Sequence, residues 1–307
     1  MPIIGLLDKE LKGIELETCP LHFAEINNLA KSVRRLIPSM ALKPYDAKRK
    51  SGELKGILIS ANSSQTELML RFVIRSKKSL KTLEKLTPLL LEQIPQLKVV
   101  SANIQPTPHQ ILEGDEEILL SENSFIWQKY NGLSLAFAPG SFMQVTPEVA
   151  EQLYAKAAAL LQEREISSVA DLFCGAGGFL FHAAQQNIQG LGFELDEQSL
   201  LAAKETKKMG QFDSVDFSLL DLQKEKLDLS SFDALVCNPP RRGIGDRVIE
   251  SLRDSDVAFC LYSSCNPETL LSDIAALEKQ YSLEECHAFD MFPLTQHLEV
   301  LALLKRR

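Results

Sequence analysis

The sequence predicts an α/β protein in two parts: a doubly covered, mostly parallel sheet behind a smaller α+β domain. Three observations carry that prediction. From residue 167 onward, short apolar strand candidates alternate with helical stretches, the pattern of successive β–α units. Ahead of it, residues 21–137 mix a hairpin signal with two helical ones. Between the two, Pro139-Gly140 breaks the pattern, and Thr146-Pro147-Glu148 then opens a helix with a cap residue and a proline in the first turn. The expected domains are 1–140 and 141–307.

Taken in order, Leu21–Leu36 has helical apolar spacing. Lys55–Ala61 and Glu67–Arg75 are rich in aliphatic and β-branched residues and flank Asn62-Ser63-Ser64, so they read as a hairpin. Ser79–Gln93 reads as a helix, Leu97–Gln105 as a strand, and a weaker group up to Phe137 as further strands. A helix follows from Thr146 to Leu161. The later strands are expected at 168–173, 190–193, 215–219, 234–237, 257–262 and 298–304. Helices between them are expected at 178–186, 197–209, 246–254 and 267–279. Ligands of such a sheet sit at the carboxyl ends of its strands, near the switch in strand order.

Composition bounds the function. The chain has 307 residues, 45% of them hydrophobic and 24% charged, which excludes a disordered chain, a fibre and a disulfide-stapled miniprotein. No run is apolar enough for a membrane span, and Pro2-Ile3-Ile4-Gly5 lacks the basic flank of a signal peptide. Six irregularly spaced cysteines suggest reduced thiols and a cytoplasmic location. The net charge of −8 argues against a general nucleic-acid coat, yet residues 31–85 hold 14 basic and 4 acidic side chains. That stretch is a candidate footprint for a polyanion, or a solvated face of an α+β domain.

Four motifs carry the chemistry. Asp171-Leu172-Phe173-Cys174-Gly175-Ala176-Gly177-Gly178 runs from an apolar strand through glycines into a helix, which lets backbone amides approach a ligand. Glu194 ends the next strand, where a carboxylate can accept both hydroxyls of a ribose. Neither a dinucleotide glycine pattern nor a Walker lysine is present. Asn238-Pro239-Pro240-Arg241-Arg242-Gly243 is a rigid turn at a strand end, with Asn238 offering an amide and Arg241 a phosphate or base contact. Tyr262-Ser263-Ser264-Cys265-Asn266-Pro267 sets Cys265 just ahead of a helix, where a thiolate is favoured. Asp290-Met291-Phe292-Pro293-Leu294-Thr295-Gln296-His297-Leu298-Glu299 leads into the last strand. Alone, a buried cysteine is more often a small hydrophobe, and Glu299 a surface acid. Cys174, Cys237, Cys260 and Cys286 read as core.

In this order the motifs resemble the RNA uracil-5 methyltransferases, a family that includes a transfer-RNA enzyme and two ribosomal RNA enzymes. The resemblance runs from about residue 3 to the end. It implies a Rossmann-like class I methyltransferase domain with a mostly parallel seven-stranded sheet, preceded by a smaller α+β RNA-binding domain. Within the family the sequence is most similar to the branch acting on uridine 747 of 23S ribosomal RNA. That likeness rests on Arg49-Lys50-Ser51-Gly52-Glu53-Leu54-Lys55, Met69-Leu70-Arg71-Phe72, Gln93-Ile94-Pro95-Gln96-Leu97-Lys98-Val99, Asn103-Ile104-Gln105-Pro106 and Asn238.

The resemblance implies S-adenosyl-L-methionine as cofactor, contacted by Gln144, Phe173, Gly175, Glu194 and Asn238. It implies Cys265 as nucleophile and Glu299 as general base. Arg71 and Arg241 are the expected RNA contacts. The expected partner is 23S ribosomal RNA, with no DNA and no membrane, and the protein is expected to be a monomer. The family also holds a [4Fe-4S] cluster on four cysteines, of which only Cys19 has a counterpart here. One thiolate does not hold four irons, so no cluster is expected. Alternatives are a cytosine-5 RNA methyltransferase, a non-catalytic RNA-binding remnant and a small-molecule methyltransferase.

Overall fold

A computed structural model describes residues 2–9, 13–40, 42–107 and 112–307, and the chain divides into two units, residues 1–127 and 128–307. The first unit opens with β1 (Gly5–Leu7) and β2 (Gly13–Glu15), an antiparallel pair. Helix α1 (Ala24–Leu36) follows. Then come β3 (Leu54–Ala61), β4 (Leu68–Ile74), α2 (Leu80–Gln93), β5 (Leu97–Ile104) and β6 (Glu116–Leu119). These four strands form one sheet in chain order, antiparallel except for β4 and β5, which α2 connects in parallel. Asn62 makes the expected hairpin turn, its Oδ1 accepting from the Thr66 and Glu67 amides.

Alternation along β4 explains the layering. Leu68, Leu70, Phe72 and Ile74 share a core with Leu29 and Val33 of α1 and Leu83, Leu86 and Leu90 of α2. Burial of the three α2 leucines contributes roughly 2 kcal/mol each. The odd positions Met69, Arg71 and Val73 are buried too, on the other face.

β7 (Ile126–Tyr130) and β8 (Leu133–Phe137) form a separate hairpin. Asn131 and Gly132 turn it with φ of +49° and +83°, the left-handed pair a two-residue hairpin requires. β8 lies along α5 (Glu197–Gly210), where the Ala136 amide donates to Thr206 Oγ1 at 2.8 Å. The division between residues 127 and 128 falls within β7.

The second unit then runs α3 (Pro147–Glu163), β9 (Ser168–Leu172), α4 (Gly178–Ala184), β10 (Gln189–Glu194), α5, β11 (Val215–Leu219) and β12 (Ala234–Cys237). It ends with α6 (Asp246–Asp254), β13 (Phe259–Ser264), α7 (Pro267–Leu277), β14 (Tyr281–Phe289) and β15 (Glu299–Arg306). Seven strands form a sheet in the order β11-β10-β9-β12-β13-β15-β14. The first five are parallel, and β15 is antiparallel to both its neighbours. β14 has no counterpart among the expected elements. It is a bulged edge strand reading Tyr-Ser-Leu-Glu-Glu-Cys-His-Ala-Phe, mostly solvated, so it lacks the apolar run of a central strand. Its Cys286 is exposed, not core as the sequence suggested, whereas Cys174, Cys237 and Cys260 are buried.

Candidate active site at the carboxyl ends of the sheet

Strand order reverses between β9 and β12, and the ends of these two strands are joined where the Asn238 amide donates to Leu172 O at 3.3 Å. This is the switch point at which an open α/β sheet binds ligands. After β9 the chain turns through Phe173 (φ +60°) and Gly175 (φ +54°) to Gly177 (φ +85°), the N-cap of α4. A Cβ at Gly177 would lie 2.7 Å from the Phe181 ring, and one at Gly178 2.6 Å from the Tyr154 ring. The space beside Gly175 is open, with no atom within 4 Å of a built Cβ.

Glu194 closes this loop. Its Oε2 accepts from the Gly175 amide at 3.0 Å, and its Oε1 accepts from Leu195 and Asp196 at 2.7 and 2.9 Å. Three backbone donors fix the carboxylate, and its remaining lone pairs could serve a ribose. Gln144, buried in the segment before α3, reaches the Tyr154 hydroxyl, and its Oε1 has no hydrogen-bond partner. Phe173, Gly175, Glu194 and Asn238 thus meet at three adjacent strand ends, beside a glycine turn, as a nucleoside site needs.

Cys265 and Glu299 come to the same end of the sheet. The antiparallel register pairs Ser263 with Leu301 and Ser264 with Val300. Carried one residue further, it sets Cys265 opposite Glu299. Residues opposite each other share a face, and Ser263 and Glu299 are diagonal neighbours on it. The Ser263 hydroxyl accordingly donates to Glu299 Oε1. Glu299 is only 2% exposed, and burial pushes its carboxyl up to about 7, opposed by the Ser263 hydroxyl. Cys265 is half-buried. Its neighbour Asn266 caps α7 through the Glu268 amide and donates Nδ2 to Arg241 O at 3.0 Å. The cysteine turn is thereby tied to the Pro-Pro-Arg turn. Asp273 holds that turn from α7, its Oδ2 accepting from the Ile244 amide at 3.0 Å and the Tyr262 hydroxyl at 2.7 Å. Arg241 is exposed above it.

Some residues lining this end of the sheet are not evident in the sequence. Tyr154 sits on the buried stripe of α3, where it reads as core. Its phenol is held well above the ordinary range by burial and by the neighbouring Tyr130, Asp171 and Glu299. Asp171 is 1% exposed, and burial raises its carboxyl well above normal, against the Leu180 amide. Thr146 stands at the N-cap position of α3 but does not cap it. Its hydroxyl donates instead to Met291 O at 2.7 Å, anchoring the segment that leads to Glu299. Ser263 lies inside a motif the sequence marks, but only the register shows what it touches.

In the first unit, Arg71 and Cys19 are both engaged by neighbouring side chains. Arg71, expected to contact RNA, is engaged by two acids. It is 7% exposed, its guanidinium binds Glu117 at 2.7 and 3.2 Å, and it pairs with Glu113 at 2.7 Å. It sits mid-strand on a buried face, where a charge must be paired. Cys19 exchanges only backbone hydrogen bonds with the Asn27 side chain. Among the described residues no three His, Cys, Asp or Glu side chains are grouped to hold a metal. The residues present do not fit an iron–sulfur cluster.

Residues 128–307 match the sequence profile of the tRNA (Uracil-5-)-methyltransferase family. A 23S rRNA (uracil(747)-C(5))-methyltransferase RlmC of Xenorhabdus bovienii is 44% identical over 304 residues, covering 99% of this chain and 80% of that protein. Its counterpart in Vibrio cholerae is 38% identical over 307 residues, covering 100% and 82%. The crystal structure of Pyrococcus abyssi tRNA (uracil-54, C5)-methyltransferase in complex with S-adenosyl-L-homocysteine shares the fold. Its TM-score is 0.81 at 22% identity, covering 98% of this chain and 72% of that one. With a profile matching more than half of its length and relatives of this identity across nearly all of it, the chain belongs to the tRNA (uracil-5-)-methyltransferase family.

Proposed function

We propose that the chain methylates C5 of a uridine in 23S ribosomal RNA, at position 747, through a covalent bond between Cys265 and C6. The names and the identity of the Xenorhabdus and Vibrio relatives support the substrate. The observation that carries the chemistry is Glu299, a buried carboxyl with affinity for a proton near neutrality, held by Ser263 at the strand end that Cys265 directly follows.

Gln144, Phe173, Gly175, Glu194 and Asn238 hold S-adenosyl-L-methionine, which when bound supplies an electrophilic methyl group. C5 of uracil is a poor nucleophile. The Cys265 thiolate adds to C6, the C5–C6 electron pair shifts toward the C4 carbonyl, and C5 becomes enolate-like. Once C5 carries both its hydrogen and the methyl, Glu299 takes the C5 proton. The electron pair left behind re-forms the C5–C6 double bond and expels the Cys265 thiolate. Reaching C6 requires an unstacked base, which costs least in an RNA loop. Arg241 and the exposed cations of residues 31–85 meet the phosphates.

Labelled methyl transfer to a 23S transcript tests this reading. Cys265→Ala should reduce it to background, and Glu299→Gln should leave protein bound to RNA after one methylation. Turnover by Cys265→Ala, or 5-methylcytidine in place of 5-methyluridine in the digested product, would overturn it.

A further inference from the structure

Glu299, the base of the proposed reaction, is nearly sealed from solvent. The groups that hold it bear on how it works. From β13, the fully buried Ser263 donates its hydroxyl to Glu299 Oε1. Tyr154 of α3, held as a neutral phenol by burial, feels the charges of Glu299 and of Asp171 of β9. Cys265 follows β13, and the register carried one residue beyond Ser264 and Val300 sets it opposite Glu299. No lysine, arginine or histidine pairs with Glu299 among the described residues.

We infer that Ser263 is a positioning residue for proton removal: its hydroxyl holds Oε1 so that Oε2 is turned to the C5 proton, and it favours the ionised carboxylate. This rests on the proposed function. The geometry makes the assignment specific. Ser263 and Glu299 are diagonal neighbours on adjacent strands, so backbone hydrogen bonds fix both Cα positions, and only the hydroxyl is left to orient the carboxylate. A hydrogen bond to a charged acceptor is among the stronger ones, and it lowers the proton affinity of the group that accepts it. A residue with one more methyl group and the same hydroxyl could serve, and an alanine could not.

Two readouts separate this role from the rest of the mechanism. RNA carrying 5-fluorouridine gives up no C5 proton, so its methylated adduct stays bound to Cys265 and reports thiolate addition and methyl transfer alone. RNA carrying tritium at C5 reports proton removal. Wild-type protein and Ser263→Ala should trap the fluorinated RNA with superimposable pH profiles. Tritium release by Ser263→Ala should have its acidic limb moved up by about one pH unit, slowing roughly five- to tenfold at pH 6.5 and recovering toward wild type at pH 9. Ser263→Thr should restore the limb. A tritium-release profile of Ser263→Ala that overlies wild type, or a Ser263→Thr profile displaced like that of the alanine variant, overturns the inference. Failure of the wild-type protein to trap fluorinated RNA overturns the covalent mechanism, and this inference with it.

Discussion

At the scale of single residues, burial and charge are in tension at Glu299. A carboxyl held at about 7 instead of 4.5 binds its proton more tightly in the folded than in the unfolded chain. Between those two pH values the folded protein carries more protons than the unfolded one, so stability falls as pH rises through that window and is level above it. The cost at pH 8 is up to about 3 kcal/mol. Glu299→Gln should therefore raise the urea midpoint at pH 8 and leave it near wild type at pH 4, while removing turnover. Equal midpoints for the two proteins at pH 8 would contradict the raised proton affinity. Arg71 shows the opposite solution to burial. It keeps its charge because Glu113 and Glu117 converge on it, with Ser101 and Asn103 completing the shell of Glu117.

At the scale of elements, the candidate site is built from the strand ends and the turns beyond them. β9 delivers a glycine turn, β10 a carboxylate, β12 a double-proline turn and β13 a cysteine. These residue types were legible in the sequence because each sits at a break between an apolar strand and a helix. Their mutual ties were not, since hydrogen bonds such as Asn266 to Arg241 join residues 25 apart through a carbonyl that any residue supplies. Asn266 performs two tasks that substitution can separate. Asn266→Asp keeps an oxygen to cap α7 and loses the donor to Arg241, whereas Asn266→Ala loses both. The aspartate variant should melt close to wild type but bind RNA more weakly. The alanine variant should also lose about 1 kcal/mol of stability. Thermal melts and filter binding check the pair, and an aspartate variant with wild-type affinity would show that the tie between the turns is idle.

At the scale of the whole molecule, an overall acidic chain carries a locally basic stretch, residues 31–85. Of its 14 basic side chains, ten are exposed, Lys48, Lys78 and Lys81 among them, while Arg71 is buried and Arg75 is held by Glu53. Binding through phosphates releases counterions, so its strength falls with salt in proportion to the number of phosphates neutralised. Replacing Lys48, Lys78 and Lys81 with alanine should raise KM for RNA and flatten the dependence of log Kd on log salt by up to about 0.7 for each phosphate no longer neutralised. It should leave kcat within about twofold of wild type, since none of the three lysines lies in the reacting site. An unchanged salt slope would remove this face from the RNA footprint.

Sequence alone determined the glycine turn and the β–α order apart from β14, because apolar periodicity, glycine and proline are local signals; the proposed reacting side chains are those the family resemblance implies. Only tertiary structure decided which charges are available. Arg71 lies in a basic stretch but is neutralised by acids from the segment leading into β6 and from β6 itself. Glu299 alone reads as an ordinary surface acid, but burial raises its carboxyl to about 7. Solvation and pairing depend on neighbours distant in the chain, and a linear pattern carries no record of how deep a side chain will lie.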